Sequence, residues 1–189
     1  SGSQTRCPPT TEHFDSGYWL PMKALITGGV RSGKTRRAME LTSSLGEQRV
    51  YLATAEAWDG EMSARIARHK GERDESWRTI EEPLNISPLL YQPGCVVLVD
   101  CLTLWMSNLL HAHEEEEVVH AHVAALVQAM VNAPNPVVLV TNEVGFGIVP
   151  MNALARRFRD HAGWLAQAVA AQADRVELCC AGLQIRMKG

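Results

Sequence analysis

Two kinds of hydrophobic pattern alternate along the chain. Continuous apolar runs, typical of strands buried on both faces of a sheet, occur in "CVVLVD" and "PVVLVTNE", and strands are also predicted in "KALIT" and "RVYLATA". Between these runs, apolar residues recur every three or four positions, as they do on one face of a helix. Ala38, Leu41 and Leu45 mark one such helix. A longer helix is marked by Leu154, Phe158, Ala162, Leu165 and Val169.

Weaker patterns complete the predicted order of elements. We predict helices in "DGEMSARIARHKGER", "CLTLWMSNLL" and "VVHAHVAALVQAMV", and short strands in "WRTIE", "RVELCCAG" and "LQIRMK". Strands that alternate with helices form a mostly parallel sheet with helices on both faces. The length of 189 residues suits one α/β domain, which we assign to 22–189. Residues 1–21 are predicted to be an N-terminal arm, in part of artificial origin, and receive no function.

Charge and composition argue against several classes of partner. The net charge is −3 and no block of Lys or Arg stands out, so nucleic acid is not expected as a partner. No apolar run approaches the roughly 18 residues of a membrane-spanning helix. The first residues also lack the charged-then-apolar layout of a signal peptide. We therefore expect a soluble, cytoplasmic protein whose five cysteines are reduced thiols.

The segment "GGVRSGKT" carries the clearest chemical signal. It fits the pattern G-x-x-x-x-G-K-[ST] and lies between a predicted strand and a predicted helix, the context of a true phosphate-binding loop (P-loop). Glycines let backbone N–H groups face phosphate oxygens, and the helix directs its positive end at the same anion. Lys34 is predicted to be catalytic at the β- and γ-phosphates, and Thr35 to bind Mg²⁺. The predicted nucleotide contacts are Gly28, Gly29, Val30, Arg31, Ser32, Gly33, Lys34 and Thr35.

An acidic residue ends the apolar run "CVVLVD". A strand that ends in Asp places its carboxylate at the carboxyl edge of the sheet, beside the phosphate loop. Asp100 is therefore predicted to be catalytic, to contact the nucleotide and to bind Mg²⁺ with Thr35. Asp100 could also cap the following helix, a role compatible with metal binding. These features predict a single P-loop NTPase-like (RecA-like) domain that uses a Mg-nucleotide.

Other segments resemble one enzyme family. In order, they are "TGGVRSGKT", "YLATAEAWDGEMSARIARHK", "WRTIEEP", "LVDCLTLWMSNLL" and "VTNEVGFGIVPMNALARRFRDHAG". From about Lys23 onward they resemble the bifunctional adenosylcobinamide kinase/adenosylcobinamide-phosphate guanylyltransferase family. The resemblance implies phosphorylation of the aminopropanol hydroxyl of adenosylcobinamide by ATP or GTP. It then implies transfer of GMP from GTP to adenosylcobinamide phosphate, giving adenosylcobinamide-GDP and pyrophosphate. It also suggests a homotrimer.

The resemblance assigns the GMP-carrying nucleophile to His69 in "RIARHK". Met62, Ile66 and His69 share one face of the predicted helix, so the residues alone favour a core histidine. A neutral imidazole is nevertheless a suitable nucleophile near pH 7, and the resemblance favours catalysis. It also implies that GTP contacts the residues that follow, whose charged members could equally be solvated. They are Lys70, Gly71, Glu72 and Arg73.

The resemblance implies further contacts at strand ends. GTP is expected to contact Ala53, Thr54 and Ala55. Glu81 is expected to accept hydrogen bonds from guanine, with a surface glutamate as the alternative. Glu143 is predicted to be catalytic by orienting water, metal or the substrate hydroxyl. Arg156 and Arg159 either bind the cobinamide phosphate or pair with neighbouring acidic residues.

Two groups of residues receive no functional role. The segment around "EEEE" is predicted to be a solvated acidic turn, because two histidines in a His-x-His pair point about 200° apart on a helix. Its histidines are His111, His113, His120 and His122. Most tryptophans are predicted to lie in the core or a subunit interface, not to stack on a corrin ring. They are Trp58, Trp77, Trp105 and Trp164.

The destination of the phosphate distinguishes the remaining alternatives. One alternative is a guanylyltransferase that has lost its kinase step. Another is a P-loop regulatory NTPase, which would release the γ-phosphate to water and use no histidine carrier. The last is a small-molecule kinase unrelated to cobalamin, which would never carry GMP.

Overall fold

The described part of the chain, residues 21–55 and 75–189 of a computed structural model, is organised around one seven-stranded sheet. The strand order is β3-β2-β4-β5-β1-β6-β7. β1 to β6 are parallel, and β7 pairs with β6 in antiparallel fashion. The strands are β1 (Lys23–Gly28), β2 (Arg49–Ala53), β3 (Trp77–Glu81), β4 (Val96–Asp100), β5 (Val137–Asn142), β6 (Arg175–Cys180) and β7 (Leu183–Lys188). The prediction of a mostly parallel sheet is confirmed.

Four α-helices within the same ranges connect the strands. They are α1 (Lys34–Leu45), α2 (Leu102–Ala112), α3 (Glu116–Asn132) and α4 (Ala153–Gln172). A short 3₁₀ helix, Ser87–Leu90, precedes β4. α3 begins inside the acidic run, two residues before the predicted start at Val118, so part of the expected acidic turn is helical. The helix predicted over 59–73 lies outside the described residues.

The two faces of the sheet carry separate cores. Alternate residues of a strand point to opposite faces, so Val97 and Val99 pack in one core and Leu98 in the other. α1 covers the face of Leu98, while α2, α3 and α4 cover the opposite face. Trp105 of α2 is fully buried there, and its indole N–H donates to the Leu84 carbonyl at 2.8 Å. The core role predicted for the tryptophans is confirmed for Trp105, whereas Trp164 is 54% exposed.

The oxidation state of the cysteines differs from the prediction at one position. Cys101 and Cys179 are buried free thiols and Cys180 is an exposed one. Cys95 is disulfide-bonded, so the expectation of reduced thiols is wrong for this residue. Among the described helices, none is both long and apolar enough to span a membrane.

A buried ion pair fastens α1 to β6. Glu177 is only 1% exposed and accepts hydrogen bonds from Arg37 Nε at 2.7 Å and Arg37 Nη2 at 3.1 Å. Arg175 also donates to Glu177, through Nε at 2.7 Å. The hydrogen bond from Arg37 is the main reason that the pKa of Glu177 lies below its ordinary value, and the bond from Arg175 adds to the effect. This cluster therefore fixes the helix that follows the phosphate loop.

We expect Glu177→Gln to destabilise the protein by about 3 kcal/mol, because two guanidinium groups lose their buried counter-charge. A lowered carboxyl pKa contributes stability above the unfolded value near 4.5, and that contribution is lost as the pH falls through the folded pKa. Urea unfolding as a function of pH should therefore show that the free energy of unfolding falls more steeply at acid pH for the native chain than for the variant.

Glu40→Gln is the matched control, because this partner of Arg36 and Arg37 is 56% exposed. It should cost less than about 1 kcal/mol. Equal effects of the two variants would contradict this account of Glu177.

Candidate nucleotide-binding site

The strand register gathers the predicted residues at the carboxyl edge of the sheet. Glu81 of β3 is paired with Ala53 of β2, and Ala53 is paired with Asp100 of β4. On the other side of β5, Gly28 of β1 is paired with Asn142. Parallel strands bring their carboxyl ends to one edge, where open α/β sheets bind ligands. The site therefore extends across β3, β2, β4, β5 and β1.

The phosphate loop requires glycine at two positions for different reasons. A side chain at Gly28 would place its Cβ 2.4 Å from the Cys179 carbonyl oxygen and 2.6 Å from Ser32 Oγ. Gly33 has φ +92°, a left-handed conformation that favours glycine, and it forms the N-terminal cap of α1. The loop is also held from outside, because the Gly182 N–H donates to the Ser32 carbonyl at 2.9 Å. The compact turn expected from "GGVRSGKT" is thus formed at the start of α1.

Two polar side chains of this loop are withdrawn from solvent. Lys34 is 8% exposed, and its ammonium group donates to the Gly29 carbonyl at 3.0 Å. Ser32 is 5% exposed, and its hydroxyl has no hydrogen-bond partner within the described ranges. A buried hydroxyl without a partner is costly, so a ligand oxygen is a natural partner for it. Val30 and Arg31, at the tip of the loop, are exposed.

Asp100 lies where the sequence predicted it, at the carboxyl end of β4. Its Oδ2 accepts a hydrogen bond from the Tyr51 hydroxyl at 2.6 Å. This bond to Oδ2 orients the carboxylate and leaves Oδ1 as a further oxygen donor. Thr35 is half-buried in the first turn of α1 and offers a hydroxyl oxygen. A carboxylate and a hydroxyl oxygen are hard donors of the kind that Mg²⁺ prefers, so these residues fit the predicted metal.

Thr54 ties β2 to the turn that follows Asp100. Its hydroxyl donates to the Cys101 carbonyl at 2.8 Å and accepts from the Cys101 N–H at 2.9 Å. Asn108 then donates to the carbonyl oxygens of Thr54 at 2.8 Å and Pro83 at 3.0 Å. The Thr54 side chain is fully buried and engaged by Cys101. Its hydroxyl therefore supports the strand ends, and a nucleotide contact at this residue stays a prediction.

Glu143 is anchored directly to the phosphate loop. Its N–H donates to the Gly28 carbonyl at 3.0 Å, and its Oε1 accepts from the Gly145 N–H at 2.5 Å. A few residues later, the Asn152 side chain caps α4 by accepting from the N–H groups of Leu154 and Ala155. Arg156 and Arg159 of α4 donate to backbone carbonyls of the segment between β5 and α4. No ion pair is found for either arginine in the described part of the chain.

Several predicted site residues cannot be placed. His69, Lys70, Gly71, Glu72 and Arg73 lie outside the described residues. Glu81 is exposed at the end of β3, and its guanine contact remains a prediction. Ala53 and Ala55 are half-buried.

Sequence reasoning did not identify some residues that shape the site. Tyr51 orients Asp100, and Asn108 joins two strand ends. Thr103 accepts from the Asn142 N–H at 2.7 Å, and its Oγ1 lies 3.3 Å from Thr141 Oγ1. A detectable signal was present for Thr103 and Asn108, because each is polar within the mostly apolar "CLTLWMSNLL".

Comparisons with solved structures give distant likenesses. The RadB recombinase is 14% identical with a TM-score of 0.48, covering 83% of this chain and 73% of that one. A KaiC-like protein of Pyrococcus horikoshii is 16% identical with a TM-score of 0.45, covering 83% of this chain and 70% of that one.

Sequence comparisons give much closer relatives. The bifunctional adenosylcobalamin biosynthesis protein CobP of Pseudomonas aeruginosa is 44% identical over 171 residues, which are 89% of this chain and 98% of the relative. CobU of Escherichia coli and CobU of Salmonella typhimurium are each 40% identical in an alignment of 182 residues that covers 88% of this chain and 100% of each relative. The family model for cobinamide kinase / cobinamide phosphate guanyltransferase matches residues 24–187. The phosphate loop and the acidic end of β4 both lie within that match. The chain therefore belongs to the cobinamide kinase / cobinamide phosphate guanyltransferase family of enzymes.

Proposed function

We propose that this chain catalyses two successive transfers to adenosylcobinamide: first the γ-phosphate of a nucleoside triphosphate, then GMP from GTP. The observation that carries the nucleotide assignment is the phosphate loop, with Lys34 held inside it and the Ser32 hydroxyl buried without a partner among the described residues. Family membership supplies the substrate class. The same donors can hold the phosphates of ATP or of GTP, so the identity of the first donor stays open.

In the kinase step, the aminopropanol hydroxyl oxygen forms a bond to the γ-phosphorus, and the bond to the β–γ bridging oxygen breaks. The hydroxyl proton passes to a base at the carboxyl edge, for which we propose Glu143. Its backbone bond to Gly28 keeps this carboxylate next to the loop. Lys34 stabilises the charge that moves onto the β- and γ-phosphate oxygens.

In the guanylyl step, an imidazole nitrogen of His69 forms a bond to the α-phosphorus of GTP, and pyrophosphate leaves. A phosphate oxygen of adenosylcobinamide phosphate then attacks the same phosphorus, and the nitrogen–phosphorus bond breaks. The products are adenosylcobinamide-GDP and a regenerated histidine. Histidine suits this carrier role because it is neutral and nucleophilic near pH 7.

The site offers donors for one Mg²⁺ ion. Thr35 and Asp100 would hold it, and Tyr51 would keep the Asp100 carboxylate oriented. When bound, the ion would neutralise charge on the phosphate oxygens. Glu81, at the end of β3, is proposed to accept hydrogen bonds from the guanine base.

We expect the native chain to carry radioactivity from α-labelled GTP but not from γ-labelled GTP when corrinoid is absent and Mg²⁺ is present. A phosphoramidate survives alkali and breaks in acid, so the protein is denatured in alkali and the bound label is counted before and after acid treatment. Adding adenosylcobinamide phosphate should discharge the α-label into adenosylcobinamide-GDP.

The other outcomes separate the competing functions. Release of γ-phosphate to water with no bound label would support a regulatory NTPase and contradict the proposal. Bound α-label without any phosphorylation of adenosylcobinamide would leave a guanylyltransferase alone. Phosphorylation without bound label would leave a kinase alone.

A further inference from the structure

A cluster of metal-ligating side chains lies between α3 and α4, formed by residues that belong to neither the phosphate loop nor the strand ends. Glu116 and His120 are four residues apart on α3 and therefore share one face of that helix. His161 comes from α4. One potential ligand atom from each residue lies within 4.8 Å of those of the other two. His161 Nε2 lies 2.7 Å from Glu116 Oε2.

The donor set matches a known class of ion. Two imidazoles and one carboxylate are a combination that binds zinc, leaving the fourth position for water. At bond lengths of about 2.0–2.2 Å, the ligand atoms of a tetrahedral site lie about 3.3–3.6 Å apart. The His161–Glu116 contact of 2.7 Å is shorter than this spacing, so an ion would part that hydrogen bond as it entered. All three ligand atoms lie within 4.8 Å of one another, and the exposed His120 can adjust its side-chain rotamer to reach the ion.

The surroundings hold two of the three ligands in place. The His161 side chain is only 3% exposed, and its ring meets Trp164 edge-on with centroids 5.2 Å apart. Glu116 uses its other oxygen, Oε1, to accept from Arg157 Nε at 2.8 Å. A second bond from Arg157 to the Glu114 carbonyl, at 2.9 Å, fixes that guanidinium. Such outer partners orient a ligating carboxylate, and here they leave Oε2 directed at His161.

The two histidines of the His-x-His pair, His120 and His122, have different neighbours in the structure. His122 stacks on His113 with ring centroids 5.3 Å apart, whereas His120 lies 5.6 Å from His161. His120 and His122 therefore face different partners, as the helical spacing predicts. No metal role is predicted from the sequence for the segment around "EEEE", because the rings of a His-x-His pair diverge on a helix. His161, which is remote in the chain, is not part of that prediction.

We propose that Glu116, His120 and His161 bind one divalent ion of the zinc class, which joins α3 to α4. The fourth position faces solvent, because both Glu116 and His120 are exposed. The ion would stiffen the first half of α4, the segment that carries Arg156 and Arg159. This proposal does not depend on the reaction proposed above.

The test is a Zn²⁺ titration of the full chain against a chromophoric chelator, with excess Mg²⁺ present. The native chain should bind one tight equivalent. His120→Ala and Glu116→Gln should each weaken that binding by at least about 10–100-fold. Both positions are exposed, so neither change should prevent folding, which circular dichroism verifies. His122→Ala removes an imidazole from the same helix without touching the cluster and should leave the affinity unchanged.

A second readout reports the geometry directly. Co²⁺ in the native chain should show the intense visible bands of a four-coordinate ion, and His120→Ala should lose them. The proposal fails if the native chain binds no tight equivalent of Zn²⁺. It fails equally if His120→Ala and Glu116→Gln bind like the native chain, which would place the ion elsewhere. A loss in His122→Ala as large as that in His120→Ala would also overturn it.

Discussion

His69→Ala should abolish guanylyl transfer while leaving adenosylcobinamide phosphorylation within about threefold of the native rate. The proposed covalent carrier of GMP is absent from this variant, and removing a catalytic nucleophile costs at least about 10³-fold in kcat. The kinase step needs no carrier, because the hydroxyl of the substrate attacks the γ-phosphate directly. The two rates are measured separately, with adenosylcobinamide as acceptor in one assay and adenosylcobinamide phosphate in the other.

A difference between the two rates distinguishes a catalytic role of His69 from a structural one. If His69 is a core residue, as the apolar face of its predicted helix alone would favour, both rates should fall together with stability. His111→Ala is the matched control, because this histidine is exposed near the end of α2 and its Nδ1 lies 2.8 Å from the Ser107 carbonyl of the same helix. A full guanylyl rate in His69→Ala would mean that another residue carries GMP.

Lys34→Ala should lower both rates by about 10²–10³-fold. Its ammonium group is held in the loop by the Gly29 carbonyl, ready to meet phosphate oxygens. Removing one such preorganised charge typically costs that much in kcat. Both rates should fall because the described ranges contain one phosphate loop, which we propose serves both nucleotides.

The control for Lys34 removes a positive charge from a nearby position outside the phosphate loop. Arg36, two residues later, has a side chain that is 69% exposed and pairs with Glu40 on the helix surface. Arg36→Ala should therefore change either rate by less than about threefold. Lys34→Met keeps most of the apolar stem and separates loss of charge from loss of packing. A fall in the kinase rate alone would place GTP for guanylyl transfer in a second site.

The strands and helices could be predicted best where the hydrophobic pattern of the segment was strongest. β4 and β5 are uninterrupted apolar runs buried on both faces, and both were predicted within one residue of their observed ends. The start of α3 was predicted two residues late, because Glu116 and Glu117 were assigned to an acidic turn. Acidic residues in a first helical turn are in fact stabilised by the helix dipole, so these residues support that end of the helix.

Those parts of the site that are formed by one short segment of the chain could be predicted from the sequence. The loop from Gly28 to Thr35 is a local motif, and Asp100 follows from the end of one strand. The contacts that orient Asp100 were not predictable, because Tyr51 lies on a different strand and its partner depends on strand order. The cluster of Glu116, His120 and His161 shows the same limit. Helical spacing brings two of its members together, while only packing of α3 against α4 adds the third.

The position of β1 in the sheet has a consequence for how the protein is made. β1 and the phosphate loop leave the ribosome early, yet the neighbours of β1 are β5 and β6, which begin at Val137 and Arg175. At about 5–20 residues per second, roughly 5–20 s of synthesis separate β1 from its first partner. The Gly182 N–H that holds the Ser32 carbonyl is made later still. The nascent loop therefore gains its neighbouring strands and this hydrogen bond only after β5, β6 and Gly182 have been synthesised.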